Sequence, residues 1–232
     1  MEQKRVLVQS LGFWRNKESH YCVAGELIEL ADANRRLGLY EEGIQQATEA
    51  SGIPGPHGNT RRQAHCLVVL ALLLCQDEQL DAAEETASRA MGLSESPLLL
   101  YHSHALLGNI HEARGNAEKA LHHFETSLQI ASSLGSGSPL SETHLSLAHL
   151  YAGEGKLNDA LTHVEHAKSH AGNDMFLLGR VIYTSAYVLH VQRRFEEAKS
   201  EALCVLAVAE ELGVAHLVEM TGKLLEEIEE SL

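Results

Sequence analysis

The chain has 232 residues, of which 44% are hydrophobic, 22% charged and 5% aromatic, with a formal net charge of −14. Such acidity repels the phosphate backbone of nucleic acid and the surface of anionic lipid, so both are excluded as general partners. The four prolines and the abundant Ala and Leu favour closely packed helices over a β-sandwich.

In chain order, a first helix is expected over about residues 2–11, carrying Val6, Leu7 and Leu11. MEQKRVLVQS runs into Gly12 and further charge, which is not the hydrophobic region of a signal peptide. Five helix pairs follow, at about 19–37 with 40–51, 59–76 with 79–91, 97–114 with 117–134, 139–153 with 157–170, and 174–192 with 195–212. A last helix covers about 214–231, where Leu217, Leu224, Ile228 and Leu232 form an apolar stripe and Glu226, Glu227, Glu229 and Glu230 lie largely outside it. A polar-faced end of this kind is what caps a stacked array. The apolar run from Cys66 to Cys75 is too short to span a bilayer. Cys22, Cys66, Cys75 and Cys204 form no C-x-x-C pair and read as buried reduced thiols, which makes the cytoplasm the expected compartment.

The pairs repeat. GLYEEG (38–43), EQLDAA (78–83), GNAEKA (115–120), GKLNDA (155–160) and RRFEEA (193–198) each combine a turn residue, an apolar or small residue and a small residue three places on. The closing residues Gly43, Ala83, Ala120, Ala160 and Ala198 are spaced by 40, 37, 40 and 38. Twelve residues before each lies another small residue: Ala31, Ala71, Gly108, Ala148 and Ala186. Small residues at these places let helix A and helix B of a pair cross closely.

This L-G/A step, with Tyr151 and Phe124 at the aromatic positions of helices A and B, resembles the tetratricopeptide repeat (TPR). Asn34 and His111 depart from the pattern at the helix-A aromatic position, and Ser185 replaces an apolar residue. The implied fold is an all-α right-handed α-solenoid of helix-turn-helix repeats with a period of about 37–40 residues and a C-terminal capping helix. Its expected divisions are an N-terminal half repeat at 1–17, repeats at 18–57, 58–95, 96–137, 138–172 and 173–213, and a cap at 214–232. The family period is about 34 residues. The excess is expected in the turns between repeats, at 51–59, 92–97, 135–139 and 170–174. Ser96 before Pro97 and Ser138 before Pro139 have the N-cap and first-turn proline order of helix starts.

Stretches such as ADANRRLGLYEEGIQQATEA, GNAEKALHHFETSLQIAS and QRRFEEAKSEAL are similar to the TPR arrays of mushroom-forming fungi, over nearly all of residues 11–230. Those arrays often follow a nucleotide-binding ATPase module of the STAND (NLR-like) class. The resemblance implies a sensor or interaction arm. No phosphate-binding loop is present: Gly153-Glu154-Gly155-Lys156-Leu157 lacks the Ser/Thr for magnesium and reads as a repeat turn. Neither H-E-x-x-H nor G-x-S-x-G occurs, so no enzyme, cofactor or catalytic residue is expected. His163, His166 and His170 share a helix stripe but lack a nearby Cys, and no metal site is expected there. His104 and His144 sit at equivalent repeat positions and read as packing residues.

The TPR resemblance also implies a concave face built from helix A. Transferred onto this chain, the expected partner-binding groove comprises Arg35, Val68, Leu72, Asn109, Leu145, His149, Arg180, Tyr183, Tyr187 and His190, with Ile28, Asp32, His65, Cys75, His102, Ala105, Glu112 and Glu142 around them. An apolar middle with polar ends suits a peptide or helix of a protein partner. TPR co-chaperones clamp a C-terminal carboxylate with Lys and Asn, whereas here Ile28, Asp32, Leu72, His102 and Leu106 stand at those places, which argues against that role. Two functions are expected: an interaction scaffold, or a regulator sensing a small molecule or short peptide. Self-association through the N-terminal helix is a further expectation.

Overall fold

The computed structural model describes residues 2–53 and 60–232, without the side chains of residues 2 and 3. Residues 54–59 of the expected turn at 51–59 lie outside the described residues. Among the described residues the chain is all α-helical, with twelve helices: α1 (Glu2–Asn16), α2 (His20–Arg36), α3 (Tyr40–Gly52), α4 (Thr60–Gln76), α5 (Leu80–Leu93), α6 (Pro97–Ala113), α7 (Ala117–Leu134), α8 (Gly137–Gly153), α9 (Leu157–Ala171), α10 (Met175–Val191), α11 (Phe195–Leu212) and α12 (Ala215–Ser231). They fall into two compact units, Met1–Ile110 and His111–Leu232.

Each helix A, from α2 to α10, is 17 residues long. Each is followed by a three-residue turn whose middle residue is left-handed: Gly38, Glu78, Gly115, Gly155 and Arg193. The turn closes by an N–H···O bond spanning five residues, from Leu39 to Asn34, Gln79 to Leu74, Asn116 to His111, Lys156 to Tyr151 and Arg194 to Leu189, at 2.8–2.9 Å. This is a Schellman closure, which satisfies helix-end carbonyls. The turn from Lys17 to Ser19 closes in the same way, with Glu18 left-handed and Ser19 N–H bonded to Trp14 O at 3.2 Å.

In the first unit, α2 packs on α1 and α3, and α4 on α3 and α5. Gly43 is where the crossing is tightest. A Cβ there would meet Leu73 Cδ2 at 2.7 Å and the Ala31 carbonyl oxygen at 3.2 Å, so even alanine would force a shift. Ala71 and Ala83 are fully buried in the next hairpin. In the second unit, Ala148 with Ala160 and Ala186 with Ala198 repeat the arrangement at zero exposure. Asn34, at an aromatic position of the repeat, is buried and donates to Gln46 Oε1 across its hairpin at 2.8 Å. α12 packs on α10 and α11 through Leu217, Thr221, Leu224 and Ile228.

Several expectations are corrected. α1 extends to Asn16, with Leu11 buried against Val23 and Leu27 of α2. The extra repeat length is not confined to the connections: α7 and α11 are 18-residue helices, each joined to the next helix by two residues. α8 starts at Gly137 rather than after Ser138, because its first turn lies against α9. A Cβ on Gly137 would stand 2.5 Å from the His170 carbonyl oxygen, a place only glycine fits. Leu232 is exposed beyond the end of α12. Cys204 is exposed, Cys66 is buried, and burial pushes the Cys66 thiol up to about 11.

The fully buried crossing residues predict that Ala160→Leu or Ala198→Leu overpacks its hairpin. The expected loss is about 1–3 kcal/mol, read as a lower urea midpoint with an unchanged slope.

Candidate partner-binding face and a histidine cluster

The expected groove residues divide sharply. In the first unit, Val68 is 2% exposed, packed with Ala64, Leu67, Ala90 and Leu99. Leu72 is half-buried, Asn109 is exposed, and Arg35 is held by Asp32 at 2.8 Å. In the second unit, Leu145 is 1% exposed within the core of α8, α9 and α10. Val68 and Leu145 are therefore corrected from groove-lining to core: each faces a neighbouring helix, and neither offers surface to a partner.

The remaining groove residues of the second unit gather on one face. The His149 ring of α8 lies 5.0 Å from Tyr187 and 6.0 Å from Tyr183 of α10, tilted 34–35° to both. Both tyrosines are half-buried. Their rings pack against the cluster of Leu189, Leu224 and Ile228, so they are part of the core as well as of the face. Neither hydroxyl has a hydrogen-bond partner among the described residues. Desolvation, with the charges of Tyr187 and Glu227 behind it, pushes the Tyr183 phenol up to about 12. Desolvation, with Glu112 and Glu227 behind it, raises Tyr187.

His149 is fixed by Thr184. The Thr184 hydroxyl donates to the Arg180 carbonyl at 3.0 Å, which leaves its oxygen to accept from His149 Nε2–H at 3.1 Å. Burial, then the Arg180 charge, pushes His149 down to about 4, so the ring is neutral at physiological pH. Arg180 faces Glu142 at 3.6 Å, and His190 Nε2 lies 4.0 Å from Glu227 of α12. His190 Nδ1 is buried without a hydrogen-bond partner among the described residues. Glu112, in the last turn of α6, is half-buried, and burial lifts its carboxyl to about 7. Glu227 and Thr184 were missed in sequence. Glu227 looked like one of four surface glutamates on the cap, and only the packing of α12 on α10 brings it to this face.

A second polar cluster joins α8 to α9. His144, buried, has its ring centroid 5.1 Å from His163, 5.1 Å from His166 and 5.9 Å from His170. Its Nδ1 is 2.9 Å from His163 Nδ1, so one nitrogen donates and the other must be unprotonated. Tyr151 stacks on His163 at 5.3 Å. Desolvation, then the neighbouring imidazoles, pushes His144 down to about 4, while Asp159 partly opposes the lowering of His163. Among the described residues no group of three or more His, Cys, Asp or Glu is arranged to hold a metal ion. Among them also no helix is long and apolar enough to cross a membrane.

Residues 99–171 match the tetratricopeptide repeat family, which identifies this stretch of helix pairs as TPR repeats. No curated protein matches the chain. Among solved structures, BtubC (BKLC) from P. vanneervenii superposes with a TM-score of 0.67 at 16% identity, covering 91% of each chain. A Rap protein complexed with Competence and Sporulation Factor gives 0.66 at 15% identity, covering 98% of this chain and 71% of that one. The apo form of RapI gives 0.63 at 13% identity over 98% and 97%. These likenesses establish the fold: an all-α array of TPR-like helix pairs.

The depressed histidines set the acid side of stability. The ordinary histidine value is near 6.5 and the folded values of His144 and His149 are about 4, so the unfolded chain binds more protons between them. The contribution of these two residues should therefore be full above about pH 7 and fall as the pH drops through 6.5 toward 4, by on the order of 2 kcal/mol per residue at pH 5, while Glu112, raised by burial to about 7, contributes with the opposite sign. Urea midpoints at pH 7.5 and 5.0 check this by comparison: His144→Leu should lose about 2 kcal/mol less than the parent on going from pH 7.5 to 5.0.

Proposed function

We propose that the chain is a non-catalytic interaction module that holds a peptide or helix of a protein partner on the α8–α10 face, with Tyr183 and Tyr187 as anchors. The observation that carries the reading is the pair of half-exposed tyrosines, one helical turn apart, with unbonded hydroxyls beside a neutral, fixed imidazole. Tyrosine combines apolar area with a polar tip at small entropy cost, the properties of an interface anchor. A Rap protein of similar fold was crystallised with Competence and Sporulation Factor, which supports a binding role for such an array. The role of Arg180 and His190 differs from one of gripping an acidic partner, because each already faces a carboxylate.

The alternative, a regulator that senses a small molecule or short peptide, draws on an open depression lined by His190, Val191, Arg193, Phe195 and Ser231 at one end of the same helix. An attachment to a STAND-type ATPase rests on the repeat resemblance alone. Self-association through α1 belongs to the proposal because Val6, Val8 and Phe13 are about half exposed on it. Val6→Glu with Phe13→Glu should then abolish any concentration dependence of the sedimentation coefficient.

Because both rings also pack in the core, truncation to alanine would lower stability and binding together. Tyr183→Phe with Tyr187→Phe keeps the packing and removes the hydroxyls. The expected result is an unchanged melting temperature and a partner affinity weakened by about 1 kcal/mol per lost hydrogen bond, roughly fivefold each. Partner binding should be followed by titration of the isolated complex, and affinity equal to that of the parent would remove this face from consideration.

A further inference from the structure

We propose that the aromatic face of His149, Tyr183 and Tyr187, with Glu112 within electrostatic reach, receives a cationic side chain, a lysine or arginine of the bound peptide; this rests on the reading of the face as a peptide-binding site.

Charge pairing on the face is the first ground. Arg180 faces Glu142 at 3.6 Å and His190 faces Glu227 at 4.0 Å. Glu112 is different: half-buried, it has neither a hydrogen bond nor an ion pair among the described residues. A carboxylate withdrawn from water without a counter-charge is costly, and an arriving cation removes the cost. Burial alone accounts for its elevated pKa, with no cation acting on it.

The ring arrangement is the second ground. His149 is neutral and does not repel a cation, and its ring lies 6.0 Å from that of Tyr183 and 5.0 Å from that of Tyr187. Aromatic faces attract ammonium and guanidinium groups within about 6 Å of their centroids. Elsewhere in the chain tyrosine rings already hold such partners: Arg62 lies 3.2 Å over Tyr21, and Lys156 lies 5.6 Å over Tyr151. Tyr183 and Tyr187 hold none among the described residues. Glu112 and Glu227 both lie within electrostatic reach of Tyr187, since both raise its phenol. A cation seated against the rings would therefore meet a carboxylate as well. The net charge of −14 favours approach of a basic peptide at long range.

Of the groups on the face whose titration burial displaces, Glu112 is the one brought near neutrality. The tyrosines hold their protons at neutral pH, His149 is already neutral, and Arg180 faces Glu142 at 3.6 Å. A bound cation should therefore expel a proton from Glu112 and bind more tightly as pH rises through about 7.

The test starts from a displayed library of random twelve-residue peptides selected on the full chain. Selected peptides should share a Lys or Arg at one position. Exchanging it for norleucine or citrulline should weaken binding at least about tenfold. Glu112→Gln should weaken the cationic peptide by a similar factor while leaving the norleucine or citrulline peptide unaffected. Titrations at pH 6.5 in two buffers of different ionisation enthalpy should show proton release with the parent chain and none with Glu112→Gln. Peptides without a cationic residue whose affinity falls in the Tyr183→Phe, Tyr187→Phe chain would overturn the cation assignment and leave the binding face standing. Cationic peptides indifferent to Glu112→Gln would overturn the assignment too. A library that yields no binder, or only binders indifferent to both sets of changes, would overturn the face and the cation site together.

Discussion

Two helices can cross at backbone contact only where neither presents a side chain larger than a methyl group, and the hairpins α2–α3, α4–α5, α8–α9 and α10–α11 are built around such points. At Gly43 a single added carbon would collide with Leu73 and with the Ala31 carbonyl. At Ala148 with Ala160 and Ala186 with Ala198 the methyl groups are sealed completely. Because the crossing residues sit at fixed places along each helix, they fix the rotation of helix A. That rotation decides which of its residues face helix B and which remain open. The positions of His149, Tyr183 and Tyr187 on a common face follow from it.

The turns preserve this phase independently of side-chain chemistry. Three-residue A/B turns with a left-handed central residue recur whether that residue is glycine, as at Gly115, or not, as at Glu78 and Arg193. The same five-residue hydrogen bond closes each of them. A left-handed glutamate or arginine costs about 1 kcal/mol relative to glycine, and the hairpin geometry holds it there. Length variation is accommodated elsewhere, in helices B of 13 to 18 residues and in their exits.

The α8–α10 face shows how one residue can serve both structure and recognition. Tyr183 and Tyr187 press one side of their rings on Leu224 and Ile228 and leave their hydroxyls unbonded. The cap helix α12 thus does more than close the array: it backs the aromatic face and brings Glu227 within 4.0 Å of His190. On the neighbouring α8–α9 surface, four imidazoles pack together, and desolvation with the neighbouring rings pushes His144 down to about 4.

The sequence by itself determined the helices, their pairing and the crossing residues, because hydrophobic period, turn residues and small residues at a constant spacing are local signals repeated five times. It also determined the candidate face as a set of register positions. Only the tertiary structure decided which of those positions are open. Val68 and Leu145 occupy the same register place as Tyr183, yet neighbouring helices cover them, and no periodicity within one helix reports how closely the next one approaches. Likewise His144 and His163, 19 residues apart, are separate features of two helices until α8 and α9 bring their nitrogens to 2.9 Å. Glu112 reads as a polar residue of the groove register, and Glu227 as surface charge in a chain that is acidic throughout. Burial and the presence or absence of a counter-charge distinguish them, and both are set by packing between elements far apart in the chain.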